Sequence, residues 1–137
     1  MSFLGYLRPD GSVGTRNYVL VIPPGLIAKS ICDFVAGTRT FQNVDHGSGR
    51  TANDRERIAR VLIGLGRNPN VASVIVHAAS PGVGYPELTA ERISGEIAAS
   101  GKRVEVIDPA KDGGVYGAIV KGIQIARMMV FEVRGKT

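Results

Sequence analysis

At 137 residues, with 44% hydrophobic and 21% charged residues, the chain has room for one domain with its own core, which excludes general disorder. The net charge is +5, yet basic residues are scattered and interleaved with acids, as in Asp54-Arg55-Glu56-Arg57. With no block of five like charges and no aromatic residues set among basic clusters, that pattern argues against a nucleic-acid partner and leaves attraction for a small anion.

In chain order, the first segment contains Pro9-Asp10-Gly11, where proline fixes φ, aspartate caps its own backbone and glycine permits positive φ. The expectation is an extended arm over 1–17 folded into a short hairpin, ahead of a single core over 18–137. Tyr18-Val19-Leu20-Val21-Ile22 is continuously apolar and ends at Pro23-Pro24-Gly25, the pattern of a strand covered on both faces. A helix over 26–35, closed by Gly37, follows, and Cys32 on it reads as a small buried apolar residue rather than a reactive thiol. The segment 41–45 is a second strand candidate. Ile58, Val61, Leu62 and Leu65 then mark a helical stripe, with Asn53 or Asp54 as its cap and Gly66 as its end.

The third strand is expected over 71–76, and Pro86 suits the first turn of the helix carrying Ala90, Ile93 and Ile97, which Gly101 closes. A fourth strand at 104–107 leads to Asp108-Pro109. Asp112-Gly113-Gly114 then opens a last helix with Val115, Ile119, Gly122, Ile123, Ala126 and Val130 along one stripe. Strands alternating with helices imply right-handed crossovers, hence an α/β, three-layer, Rossmann- or flavodoxin-like parallel sheet of about four strands. The expected strand order is 2-1-3-4, with the N-terminal hairpin arm added. Apolar runs are too short to span a membrane, and the first residues lack the pattern of a signal peptide. With a lone cysteine, no intrachain disulfide can form, and the expected location is cytoplasmic.

Ligands of open α/β sheets bind beyond the carboxyl ends of the strands, where strand order switches. Those ends are 23–25, His46-Gly47-Ser48-Gly49-Arg50, the small-residue stretch from His77 to Gly82, and 108–114. His46 could act as a general base, Ser48 and backbone N–H groups could hold an oxyanion, and Arg50 could pair with a carboxylate. His77 could face the same cleft; for either histidine a hydrogen-bonded residue of a turn or strand end is the plainer reading. The first strand–helix turn has no Gly-x-Gly, and no phosphate loop ends in Gly-Lys-Ser/Thr, which disfavours a dinucleotide or ATP site.

These residues also carry a family resemblance. Gly5-Tyr6-x-Arg8-Pro9-Asp10-Gly11-x-x-Gly14-Thr15-Arg16-Asn17-Tyr18 resembles the opening of the main domain of altronate and galactarate dehydratases. His46-Gly47-Ser48-Gly49 resembles the family's His-Gly-x-Gly-Cys, Arg67-Asn68-Pro69-Asn70-Val71 with the apolar strand after it resembles its His-Pro-Asn-Val segment, and Gly113-Gly114 and Gly122-Ile123 resemble its later Gly-Gly-Thr and helix motifs. The resemblance implies a sugar-acid hydro-lyase, in which a base takes the proton α to a carboxylate and a divalent metal such as iron assists the departure of water. It matches Arg8, Arg16, Asn17, His46 and Ser48 to substrate handling, with His46 and Ser48 the catalytic candidates from the residue reading and Arg50, His77, Gly113 and Gly114 added by the fold argument.

The family's cysteines stand here at Ile27, Arg50 and Ser80, with Pro81 in place of its glutamate, so no metal ligand can be assigned. Family enzymes are several times longer, and the match covers the first α/β lobe of their main domain. Water elimination is therefore expected only with further lobes or partner chains, such as a SAF-like (β-clip) subunit or a second α/β lobe. The alternative is a non-catalytic anion-binding or assembly module of the same fold. An edge strand or exposed helix could also mediate homo-oligomers, with no stoichiometry fixed by the sequence.

Overall fold

The computed structural model describes residues 5–7, 13–14, 17–22, 26–40, 52–78 and 89–133. At the start, β1 (Tyr6–Leu7) pairs antiparallel with β2 (Val13–Gly14), giving the hairpin that Pro9-Asp10-Gly11 predicts. The core then alternates: β3 (Tyr18–Ile22), α1 (Leu26–Phe34), β4 (Thr38–Arg39), α2 (Ala52–Arg67), β5 (Val71–His77), α3 (Ala90–Ala98), β6 (Arg103–Ile107) and α4 (Gly114–Val133). The four core strands form one parallel sheet in the order β4-β3-β5-β6, which is 2-1-3-4 in core numbering.

Strand alternation divides the core in two, because successive side chains point to opposite faces. On one face Val19, Val21, Ile75 and Ile107 pack with Ile27, Ala28 and Ile31 of α1 and with Ala118, Ala126 and Met129 of α4. On the other, Leu20, Ile22, Val74 and Val76 meet Leu62 and Ile63 of α2 and Ala90, Ile93 and Ile97 of α3. Each buried Val or Ile contributes up to about 1.5–3 kcal/mol, so the two slabs supply the main driving force of folding.

Several boundaries differ from expectation, each for a local reason. The second strand sits at Thr38–Arg39, ahead of the expected 41–45, which lies outside the described residues. It pairs Val19 with Thr38 and Leu20 with Arg39, and Val19 N–H donates to Gly37 O, so pairing starts right after the Gly37 turn. Thr38 is buried with its hydroxyl bonded to Val35 O, a polar strand residue that hydrophobicity does not flag.

Gly66 is the next-to-last residue of α2, one residue before the helix ends at Arg67, and a Cβ there would run into Ile97 of α3. The end of α2 is held instead by Lys102, whose buried Nζ donates to Gly66 O at 2.9 Å and Asn68 O at 2.5 Å. For α3 the start is Ala90, with the Thr89 hydroxyl accepting from Arg92 N, while Pro86 lies outside the described residues. Gly101, at φ 90°, closes it as expected.

On α4 the most buried line is Ala118, Gly122, Ala126 and Met129, with Val115, Ile119, Ile123 and Val130 flanking it. By length and composition alone this helix is long and apolar enough to cross a membrane, which short uninterrupted runs did not suggest. Its inner line nonetheless packs into the sheet core.

Candidate functional site

In this sheet the chain leaves β3 toward β4 on one side and returns to β5 on the other, so strand order switches between β3 and β5. The described part of the carboxyl edge consists of Ile22, Arg39 and Thr40, His77 and Ala78, and the turn from Asp108 to Gly114. His77 ends β5 opposite Ile107, and Ala78 N–H donates to Ile107 O at 2.8 Å, which sets His77 beside the start of that turn. The half-buried His77 ring lies with Nδ1 3.4 Å from Ala78 O.

The 108–114 turn is built from its own polar groups. Asp108 Oδ1 accepts from Ala110 N–H, and Asp112 Oδ2 accepts from Asp108 N–H at 2.8 Å. Lys121 Nζ sits 3.0 Å from Asp112 Oδ1. The Asp108 N–H bond first, and Lys121 second, hold the Asp112 carboxyl below the usual carboxylate range. Gly113 and Gly114 both have positive φ, 87° and 80°, which side chains rarely adopt. Gly117 is fixed by a different constraint, since a Cβ there would collide with the Asp112 carbonyl. Gly113 and Gly114 thus bring bare backbone to the N-terminus of α4, where the helix dipole favours anions. Asp112 already supplies one negative charge to that end.

His77, Gly113 and Gly114 are brought to one edge. Asn17 is not: it precedes Tyr18, whose N–H donates to Asn70 O, at the opposite end of the sheet. Its Nδ2 donates to Val133 O at 2.7 Å, tying the last turn of α4 to the base of β3. The length of β5 separates that end from His77, about 20 Å at 3.3 Å per residue. Gly14 lies at the same far end, where a Cβ would collide with Pro69 O. The assignment of Asn17 to the substrate is therefore corrected, and Gly14 of the same motif lies with it at the far end. His46, Ser48, Arg50, Arg8 and Arg16 lie outside the described residues.

The donor set for a metal can be tested at several positions. Ile27, at the first family cysteine position, is a buried aliphatic residue of α1 with no ligating atom. Cys32 is half-buried, and burial pushes its thiol up in pKa against the opposing hydrogen bond from Thr38, the reverse of an activated thiolate. Among the described residues no three His, Cys, Asp or Glu side chains gather as a metal site would require. The described residues do not fit a metal centre.

Three polar residues with clear structural work escaped sequence reasoning. Arg92 of α3 makes a bidentate pair with Glu56 of α2, 2.6 Å on each arm, and Lys102 closes α2 as described above. Arg92, through its hydrogen bond first, holds the Glu56 carboxyl below the usual glutamate range. The local signs of charge pairing there are the i,i+4 spacings of Glu56 with Arg60 and of Arg92 with Glu96.

With this geometry in place, the family model for the second domain of D-galactarate dehydratase/altronate hydrolase matches residues 5–134. The chain belongs to that family. A curated relative, the (2R)-sulfolactate sulfo-lyase subunit beta of Chromohalobacter salexigens, is 40% identical over 107 residues, covering 76% of this chain and 26% of the relative. The chain thus spans about a quarter of the length of that relative. No solved structure matches it. As a member of the galactarate dehydratase/altronate hydrolase family the chain is a lyase-related unit, and its relative is one subunit of a lyase.

Proposed function

We propose that this chain is a lobe of a lyase that binds a 2-hydroxy-carboxylate at the carboxyl edge of the sheet and eliminates water from it only together with further lobes or partner chains. The observation that carries this reading is the family match over residues 5–134, on a chain that covers 26% of a lyase subunit. Galactarate, altronate and (2R)-sulfolactate, the compounds in those names, share a carboxylate next to a hydroxyl-bearing carbon. A common first step would be loss of the proton from that carbon.

In this proposal His46 accepts that proton as the general base. Ser48 and neighbouring peptide N–H groups hold the oxygen of the resulting enediolate, and Arg8, Arg16 and Arg50 pair with carboxylate groups. The electron pair left on carbon forms the C=C bond as the β-substituent departs, the hydroxyl of galactarate or altronate leaving as water with a proton from the assembled site and the sulfonate of sulfolactate leaving as sulfite. His77 and the Gly113–Gly114 backbone meet the substrate from the β5–β6 side. Asn17 has a structural task at the far end and is left out of the site. The cytoplasm is the compartment proposed.

The test is turnover of galactarate, altronate and sulfolactate by the chain alone and by the assembly recovered when it is co-expressed with its neighbouring reading frames. The proposal expects turnover by the assembly alone, and its loss on His46→Ala. A fully assembled enzyme inactive on galactarate and altronate would refute water elimination, and one inactive on all three acids would refute the lyase reading itself. Ile27, buried and aliphatic where the family has cysteine, favours one second reading, an anion-binding module without catalysis. That reading expects thermal stabilisation by these acids with no turnover in any assembly.

A further inference from the structure

Among the described residues the outer face of α4 has no partner. Tyr116 is 85% exposed, Val120 56% and Phe131 75%, and Phe34 at the end of α1 stands beside Phe131, 68% exposed. Phe34, Val35, Ala36, Arg127, Val130 and Phe131 line a notch of ≈ 250 Å³ between the ends of α1 and α4. A prominent aromatic knob thus sits at the first turn of α4, and an apolar notch at its last turns. Fifteen residues separate Tyr116 from Phe131, about 22 Å along a helix.

From this arrangement we propose that α4 is the interface with a second copy of this chain, the two α4 helices packing antiparallel about a two-fold axis between Ile123 and Gln124. The spacing of the exposed face is palindromic about that point. Tyr116 then lies opposite Phe131 of the second copy, and Val120 opposite Arg127, each pairing occurring twice, as an isologous contact demands. Each Tyr116 enters the notch between Phe34 and Phe131 of the other copy, in an offset or edge-to-face aromatic contact. The aliphatic stem of Arg127 covers Val120 while its guanidinium stays at the rim.

The area is sufficient. At about 200 Å² per aromatic side chain, the three exposed rings offer roughly 450 Å² per copy. Val120 and Met128 raise this to roughly 600 Å², so that a pair buries roughly 1,200 Å² in total, the lower end of a specific interface. A dissociation constant in the micromolar range, on the order of 1–10 μM, is expected of such a dimer.

Sedimentation equilibrium across that concentration range tests the proposal, with twice the 14.5 kDa chain mass as the expected limit. Tyr116→Ser, at an exposed position and with circular dichroism confirming the fold, should weaken association at least about tenfold. A crosslink tests the register: in a Cys32→Ser background, Tyr116→Cys combined with Phe131→Cys should oxidise to a covalent dimer, while either cysteine alone should not. The same two positions lie too far apart in one copy to bridge. A chain that stays monomeric, so that the face belongs to another lobe, would overturn the proposal. So would a dimer indifferent to Tyr116, single-cysteine dimers, or flotation with phosphatidylcholine–phosphatidylglycerol vesicles that depends on Tyr116 and Phe131.

Discussion

Replacing Gly117 by alanine isolates what holds the 108–114 turn in place. An added Cβ would lie 2.9 Å from the Asp112 carbonyl carbon and closer still to its oxygen, and a backbone group cannot swing aside as a side-chain tip can. Either the first turn of α4 or the Asp108–Gly114 turn has to shift. Overpacking against a backbone group costs about 2–3 kcal/mol, and the better helix propensity of alanine returns roughly 1 kcal/mol, leaving a net loss of about 1–2 kcal/mol. For a domain of this size each kcal/mol moves the melting point by about 3–4 °C, so Gly117→Ala should melt about 3–8 °C lower. Gly64→Ala is the matched control: it lies in α2 with nothing within 4 Å of the added Cβ. It should gain about 1 kcal/mol and melt about 3–4 °C higher. The assay is two-state thermal unfolding of both variants, with the amide signals of Gly113 and Gly114 followed by NMR. Equal shifts in the two variants, or unmoved glycine amides in Gly117→Ala, would refute the close-approach argument.

Three further outcomes are expected. Lys102→Met removes the cation that closes α2, taking the ammonium donor from Gly66 O and from Asn68 O, which keeps its bond from Val71 N–H, at a cost of about 1–3 kcal/mol in urea unfolding; a neutral result would mean water replaces the ammonium. The lowered carboxyl of Glu56 contributes stability that is complete above its unfolded pKa of about 4.3 and is lost as pH falls through the lower folded value. Arg92→Met should flatten that acid limb of the stability–pH curve, while leaving it steep refutes the pairing. Cys32, with its pKa raised by burial, should react with a thiol reagent at neutral pH more slowly than a free cysteine does, and a rate at or above the free value refutes its structural assignment.

The fold was legible where hydrophobic pattern and chain economy agree. Tyr18-Val19-Leu20-Val21-Ile22 and the run ending at Val76 are apolar on both faces, and such strands sit only at the centre of a covered sheet, as β3 and β5 do. Right-handed crossovers then restrict the placement of the outer strands. What stayed hidden depends on contacts distant in sequence. Thr38–Arg39 is a strand because β3 offers it an edge, with Arg39 over the Tyr18 ring at 4.8 Å, and two residues carry no period of their own.

Gly66 looked like a helix stop, but its smallness serves Ile97, some thirty residues away. Lys102 reads as a solvated lysine until α2 ends beside it. The strand ends and paired glycines lead to the carboxyl edge of the sheet, where His77 and Gly113–Gly114 lie. Asn17 was grouped with them because a motif runs continuously in sequence, whereas β3 begins at the far end of the sheet and carries Asn17 to the end of α4.

The most direct test of the account is where a hydroxy-acid lands on this chain. Galactarate titrated into the ¹⁵N-labelled protein should shift the amides of His77, Ala78, Gly113 and Gly114 together. Shifts confined to Asn17, Tyr18 and Val133, or none at saturating ligand, would contradict a binding site at the carboxyl edge of the sheet.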